Sequence, residues 1–223
     1  MSIHITKIIR SRRKTIALQV TEDATLIVRA PYRVGGEVLQ KVVEKHKKWI
    51  EKKKKEIQAR NLKFTPKEFV DGEEFFYLGR SYKLTIVDEP YPPLVFKSGF
   101  FLSGKYLPVA RKVFIDWYKQ QAYQKISERV EWYAPKQGFK YNKVNITNAQ
   151  QRWGSCSSIG NLNFSWRLVM APLPVIDYVV VHELVHLEER NHSKKFWDKV
   201  KVIMPGYEKY KDWLKKNSYL LRL

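Results

Sequence analysis

The sequence predicts an α+β chain in two parts. A β-rich N-terminal region, residues 1–105, carries one long basic helix, and a mixed α/β domain spans residues 106–223. Three observations support this. Short β-type runs separated by turn residues fill the first part, apart from one stretch of helical periodicity. From Pro108 the apolar spacing changes to threes and fours. The remainder then alternates strand-like and helix-like segments and ends on an apolar helix carrying histidines.

Ile3 to Arg13 reads as a first strand leading into the basic patch Arg10, Arg12, Arg13 and Lys14. Residues 15–20 and 25–30 are β-type runs joined by a polar turn, hence a hairpin. After Pro31 and the Gly35-Gly36 pair, Val38, Leu39, Val42, His46, Trp49, Ile50 and Ile57 recur at helical spacing as far as Asn61. Trp49 is expected on the apolar side of that helix. Lys45, Lys48, Lys52 and Lys55 occupy the other face, and nine basic residues against two acids lie between Lys45 and Lys63. Residues 67–108 suggest a small meander packed on the N-terminal helix, with strands at 75–78, 82–87, 94–96 and 100–102. A long helix from Pro108 to about Tyr133 has Val113, Phe114, Trp117, Ala122, Ile126 and Val130 as its buried stripe. A strand at 141–148, a polar turn at 150–158, a strand at 161–166 and a final helix after Pro172 and Pro174 complete the order.

With 42 basic and 22 acidic residues the net charge is +20, which favours polyanionic partners, including nucleic acid, without identifying one. The basic N-terminal surface, including this helix, is a candidate contact for nucleic acid or another polyanion, but without interleaved stacking aromatics a solvated helix face is the favoured reading. A single cysteine excludes a disulfide framework and a Cys-rich structural zinc site. The N-terminus lacks a hydrophobic signal core and no apolar run is long enough to span a bilayer, so a cytoplasmic location is expected.

The chemistry concentrates in Val179 to Trp197. His182 and His186 are four apart and project from one helix face, a spacing that lets two imidazoles hold one tetrahedral metal. Glu183, turned about 100° from His182, can take a proton from water without being a ligand. This H-E-x-x-H pattern is a zinc hydrolase motif. His192 is the favoured third ligand. A helix continued six residues past His186 would turn by about 600° and rise about 9 Å, so the helix must end and the chain double back. Asn191 can serve such a turn. Glu208 is the rival ligand, with Glu188 and Glu189 weaker. His4 and His46 lack metal-type neighbours. Three imidazoles with an open position indicate catalytic Zn2+. Arg152, Arg167, Arg190 and Tyr207 are candidate contacts for substrate or for transition-state charge. Asn163 and Asp177 could support the ligand histidines, and Cys156 fits a packing role.

Trp153-Gly-Ser-Cys156, Asn161-Leu-Asn-Phe164, Pro172, Tyr178 to His186, Asn191-His-Ser193 and Phe196-Trp197 together resemble the YgjP-like family of metal-dependent hydrolases, relatives of the SprT and WLM zincin-type metallopeptidases. The resemblance implies a zincin-like catalytic domain with zinc on His182, His186 and His192, Glu183 as general base, and the Arg152–Cys156 turn near the metal. It also implies that the 161–166 strand aligns an extended peptide. The substrate expected first is a peptide bond. A nucleoside triphosphate of UTP type is the alternative, since one bacterial relative is described as a pyrophosphatase; there is no Gly-rich phosphate loop here. A protease recruited to nucleic acid by the basic helix is the third expectation.

Overall fold

The computed structural model describes residues 3–21, 23–61, 66–88 and 92–223. It divides the chain into two units, Met1–Thr65 and Pro66–Leu223.

In the first unit β1 (Lys7–Ser11) runs parallel to β3 (Leu26–Pro31), which pairs antiparallel with β2 (Ala17–Val20). The expected hairpin is therefore β2–β3. Its turn is closed by Thr21, whose Oγ1 accepts the Thr25 amide at 3.1 Å. Leu26, Val28 and Ala30 alternate into a core completed by Leu39, Val43 and Ile50, the period of two that one buried sheet face requires. The single long helix of the sequence reading is instead two, α1 (Gly36–Lys45) and α2 (Lys47–Asn61). The break falls at His46, with φ −104° and ψ 14°. Its imidazole Nδ1 lies 2.8 Å from the Val42 carbonyl, a side-chain bond to the backbone at the break. Ile50 and Ile57, two turns apart, are buried, but Trp49 is 46% exposed and does not join the apolar face.

The second unit begins with the hairpin of β4 (Glu74–Tyr77) and β5 (Arg80–Val87). Leu78 and Gly79 at its tip both have positive φ, the geometry of a tight two-residue hairpin turn. β5 then pairs parallel with β7 (Phe100–Ser103), and β7 pairs antiparallel with β6 (Leu94–Phe96). The order β4-β5-β7-β6 is thus not a meander. These strands do not close a separate N-terminal region. Phe75 stacks on Phe114 at 4.3 Å and Phe100 lies 5.2 Å from it. Phe114 belongs to α3 (Ala110–Lys136), so strands 74–103 share the core of the long helix. The unit boundary accordingly lies at Thr65/Pro66 and not near residue 105.

Helix α3 buries Ala110, Phe114, Tyr118, Ala122, Ile126, Val130 and Ala134, one residue per four. Val113 and Trp117, expected in that stripe, sit half-buried beside it. The helix runs on to Lys136 with Pro135 in its last turn, and the amides of Gln137 and Phe139 bond the Ala134 carbonyl at 3.3 and 3.0 Å.

A third sheet has the order β8-β10-β9. β8 (Lys143–Thr147) runs parallel to β10 (Asn161–Ser165), and β9 (Gly154–Cys156) pairs antiparallel with it. The stretch 150–158, read as a polar turn, therefore contains an edge strand. Three helices follow: α4 (Leu173–Val185), α5 (Lys194–Ile203) and α6 (Glu208–Asn217). The Leu78 and Gly79 amides bond the Val169 and Met170 carbonyls, both at 2.9 Å, and tie the first hairpin to the segment that leads into α4. No described helix is long and apolar enough to cross a membrane.

Candidate active site

Helix α4 is apolar on almost every face. Residues Val175 to Val181 are all buried, as are Glu183, Leu184 and Val185. An element buried all round is held rigidly, so the polar side chains near its C-terminal end, His182, Glu183 and His186, have fixed positions.

The helix stops at Val185, and His186 caps it. The Leu187 amide bonds the Leu184 carbonyl at 3.0 Å, and the Glu188 and Glu189 amides converge on the Val185 carbonyl. The doubling back required of His192 therefore occurs without a glycine. Asn191 serves it, its Oδ1 accepting the Ser193 amide at 3.1 Å. The chain then enters α5, which places Phe196 fully buried against the imidazoles. Its ring centroid is 4.8, 4.5 and 4.7 Å from those of His182, His186 and His192.

The three Nε2 atoms converge. His192 Nε2 lies 2.9 Å from that of His182 and 3.1 Å from that of His186. Tetrahedral zinc with Zn–N near 2.0–2.1 Å sets its nitrogens about 3.3 Å apart; both separations from His192 are near that value, and the ligand atoms of all three residues lie within 4.8 Å of one another, so the donor set fits such an ion. The tautomer agrees at His186, whose Nδ1 donates to the Glu189 carbonyl at 2.9 Å and leaves the Nε2 lone pair facing the cluster. Burial, then the charges of His186, His192 and Lys211, push His182 down to about 3 and keep it neutral, the form that binds metal. Among the described residues this trio is the one group of His, Cys, Asp and Glu whose ligand atoms gather closely enough, within 4.8 Å, to hold an ion.

Glu183 is 4% exposed. Burial pushes its carboxyl up to about 8, against the nearby Arg152 charge and the hydrogen bond it accepts from the Cys156 backbone amide. Its Oε2 has no partner among the described residues. Gly154 of β9 lies so close that a Cβ there would stand 2.6 Å from Glu183 Cγ and Oε1. A carboxyl raised towards neutrality and half-unpartnered suits proton transfer.

Other candidates separate. Arg152 is within electrostatic reach of Glu183. Arg190 donates to the Ser157 and Ser158 carbonyls at 3.2 and 3.1 Å and secures the turn after β9. Arg167 donates to the Asn148 carbonyl at 3.2 Å and packs on the Trp166 ring. Tyr207 is buried, stacked on Tyr178 and on Trp197 with centroids 6.0 and 5.3 Å apart. Asp177 does not support a ligand histidine: it takes two bonds from Arg129, at 2.5 and 3.1 Å. Asn163 likewise serves the sheet, bonding Asn145 at 3.0 Å and the Ser155 carbonyl at 3.3 Å. Glu208 opens α6 outside the imidazole cluster, and Glu188 and Glu189 pair with Lys199. Cys156 is half-buried, with burial and then the Glu183 charge holding its thiol protonated, as a packing role requires.

The strand expected to align a peptide, residues 161–166, is β10. It is paired on both sides, so it has no open edge; β9 is the edge strand and adjoins Glu183. Three features were not foreseen. Gly154 resembles any turn glycine in sequence. The stack of Trp197, Tyr207 and Tyr178 joins α4, α5 and the start of α6. Lys211, hidden among other lysines, sits with Nζ 4.0 Å from the Trp197 ring centroid; the spacing of four from Tyr207 was its one visible signal.

A search of curated proteins finds no match. Among solved structures, the crystal structure of the metallopeptidase zymogen of Pyrococcus abyssi abylysin aligns at 21% identity with a TM-score of 0.38, covering 44% of this chain and 96% of that one. The family model for the YgjP-like metallopeptidase domain matches residues 14–217. Since that match spans most of its length, the chain belongs to the YgjP-like metallopeptidase-domain family and, with it, to the metal-dependent hydrolases.

Proposed function

We propose that the chain is a zinc-dependent peptidase in which the Nε2 atoms of His182, His186 and His192 hold Zn2+ and Glu183 is the general base. The observation that carries this reading is the gathering of three imidazole ligand atoms within 4.8 Å of one another, with His192 Nε2 at 2.9 and 3.1 Å from the other two, beside the buried carboxyl of Glu183 on α4. When bound, zinc supplies Lewis acidity, which lowers the pKa of water and polarises a carbonyl. Glu183 removes the proton from the attacking water and returns it to the leaving amine. The Cys156 amide and the Arg152 charge favour its ionised form, and burial favours the protonated form. The outer edge of β9, apart from the Cys156 amide that bonds Glu183, supports a peptide substrate, because backbone groups of an edge strand without a strand partner can bond an extended chain.

Hydrolysis of a nucleoside triphosphate is a second reading, favoured by two cations near the centre, Arg152 and Lys211, whose charges reach Glu183 and His182 respectively. Zinc-loaded protein and its Glu183→Gln variant, assayed side by side on unfolded polypeptide and on nucleoside triphosphates, separate the two. Polypeptide turnover that falls about 10²–10⁴-fold in the variant while zinc content is retained is the expected outcome. Turnover of triphosphates alone, with the same dependence on Glu183, overturns the peptidase reading.

A further inference from the structure

We propose that Lys211 forms an anion subsite beside the three-imidazole centre and holds a carboxylate of the peptide substrate; this rests on the peptidase reading. Helix α6 brings the residue there. Tyr207, at the N-cap of that helix, is locked by its stacking on Tyr178 and Trp197, and Lys211 follows one turn later. Its Nζ stands 4.0 Å from the centroid of the Trp197 ring. The same ring lies 5.5 Å from that of His192 and 5.8 Å from that of His182. One indole thus neighbours both the ammonium and two of the three imidazoles.

The partners of the charge decide what it can do. Lys199, also near the end of α4, is taken up by Glu188 and Glu189, Lys125 by Glu128 and Lys53 by Glu56. Lys211 is exposed, and among the described residues no carboxylate lies within 4.0 Å of it. An indole face holds an ammonium in place without neutralising it, so a positioned cation remains open to an incoming anion. The buried rings of Tyr207 and Phe196 pack on that indole and fix its place. A peptide presents a carboxylate to such a subsite either at its C-terminus or on an acidic side chain.

The test uses full-length zinc-loaded protein and three alanine-based hexapeptides: a free acid, its C-terminal amide, and the amide with one internal glutamate. Wild-type protein is expected to show KM values about three- to fivefold lower for at least one carboxylate-bearing peptide than for the neutral amide, the range of an exposed ion pair. Lys211→Met should remove that preference and Lys211→Glu should invert it. Preference for the free acid identifies a terminal carboxylate, and preference for the glutamyl amide identifies a side chain. A structural role for Lys211 would instead change all three peptides alike. Calorimetric binding of the same peptides to zinc-loaded Glu183→Gln protein reads the subsite without turnover. If wild-type protein cleaves none of them and this variant still separates acid from amide through Lys211, the peptidase reading fails and the subsite stands. Equal affinity for all three peptides, or a preference that survives Lys211→Met, overturns the subsite.

Discussion

Gly154→Ala tests the contact on which the proposed general base, Glu183, depends. A Cβ at this position would lie 2.6 Å from Glu183 Cγ, 2.6 Å from Oε1 and 2.8 Å from Cδ. Ordinary contact begins at 3.4 Å, so about 0.8 Å must be found between strand and side chain. The strand cannot readily yield, because Gly154 is registered opposite Phe164, a fully buried residue of the central strand β10. Glu183 has no solvent-side room either, being 4% exposed. The carboxylate must therefore move, and a misplacement of this size costs about 10²-fold in rate. The imidazoles are carried by other residues, so zinc content should be unchanged. Overpacking should cost about 1–3 kcal/mol, or a few degrees in Tm per kcal/mol for a chain of this size. The assay is kcat of zinc-loaded variant against wild type on one polypeptide substrate, with metal analysis and thermal unfolding on the same samples. A folded, zinc-replete Gly154→Ala protein with kcat within threefold of wild type would refute the reasoning.

Removing His192 by His192→Ala should weaken zinc binding by more than the 10–100-fold typical of losing an outer-sphere partner, as read by competition with a chelator; unchanged affinity would exclude it as a ligand. Gly79→Ala should destabilise by about 1–3 kcal/mol in denaturant titration, since φ is +81° and a Cβ would stand 2.7 Å from Pro172 Cγ. Arg129→Met leaves Asp177 buried without its cation, for about 2–3 kcal/mol at neutral pH, below the full value of a deeply buried pair because both side chains retain some exposure. Burial already raises the Asp177 pKa and Arg129 opposes that rise, so the variant's folded pKa lies further above its unfolded one. The folded state then prefers the protonated acid. The penalty grows as pH rises through the folded pKa of wild-type Asp177, itself raised above the usual carboxyl value, and shrinks in acid, where both proteins carry the protonated acid; a penalty that instead increased towards low pH would contradict the assignment.

What could be read directly from the chain was what local periodicity encodes. The spacing of His182 and His186 needs only one helical turn, and the geometric impossibility of continuing that helix to His192 called for the turn now seen after Val185. The β2–β3 hairpin and the stripe of α3 follow from periods of two and near four in side chains that pack on one face. Strand β9 was not legible, because Gly154, Ser155 and Cys156 have no apolar alternation; it exists through its pairing with β10. The boundary at residue 65 was hidden for a related reason. Phe75 and Phe100 lie on short strands whose partner, Phe114, is supplied by the next helix. Asp177 was misread as support for the metal ligands because its true partner, Arg129, lies 48 residues away.

The structure also explains why the two halves of the site differ in polarity. Helix α4 exposes almost nothing, so each polar side chain at its end is covered by something foreign to it. His182 is covered by the rings of Phe196 and Trp197, and its Nδ1 has no partner among the described residues. Glu183 is covered by backbone, where Gly154 allows the approach and the Cys156 amide donates. Rings favour lone pairs on nitrogen and therefore a cation among them. A strand edge with one amide tolerates a carboxylate without fully stabilising it. Exchanging the two coverings would raise the cost of ionising Glu183 and give the imidazoles competing hydrogen bonds. The proposed division of labour between ligand and base therefore depends on β9 and α5 as much as on α4.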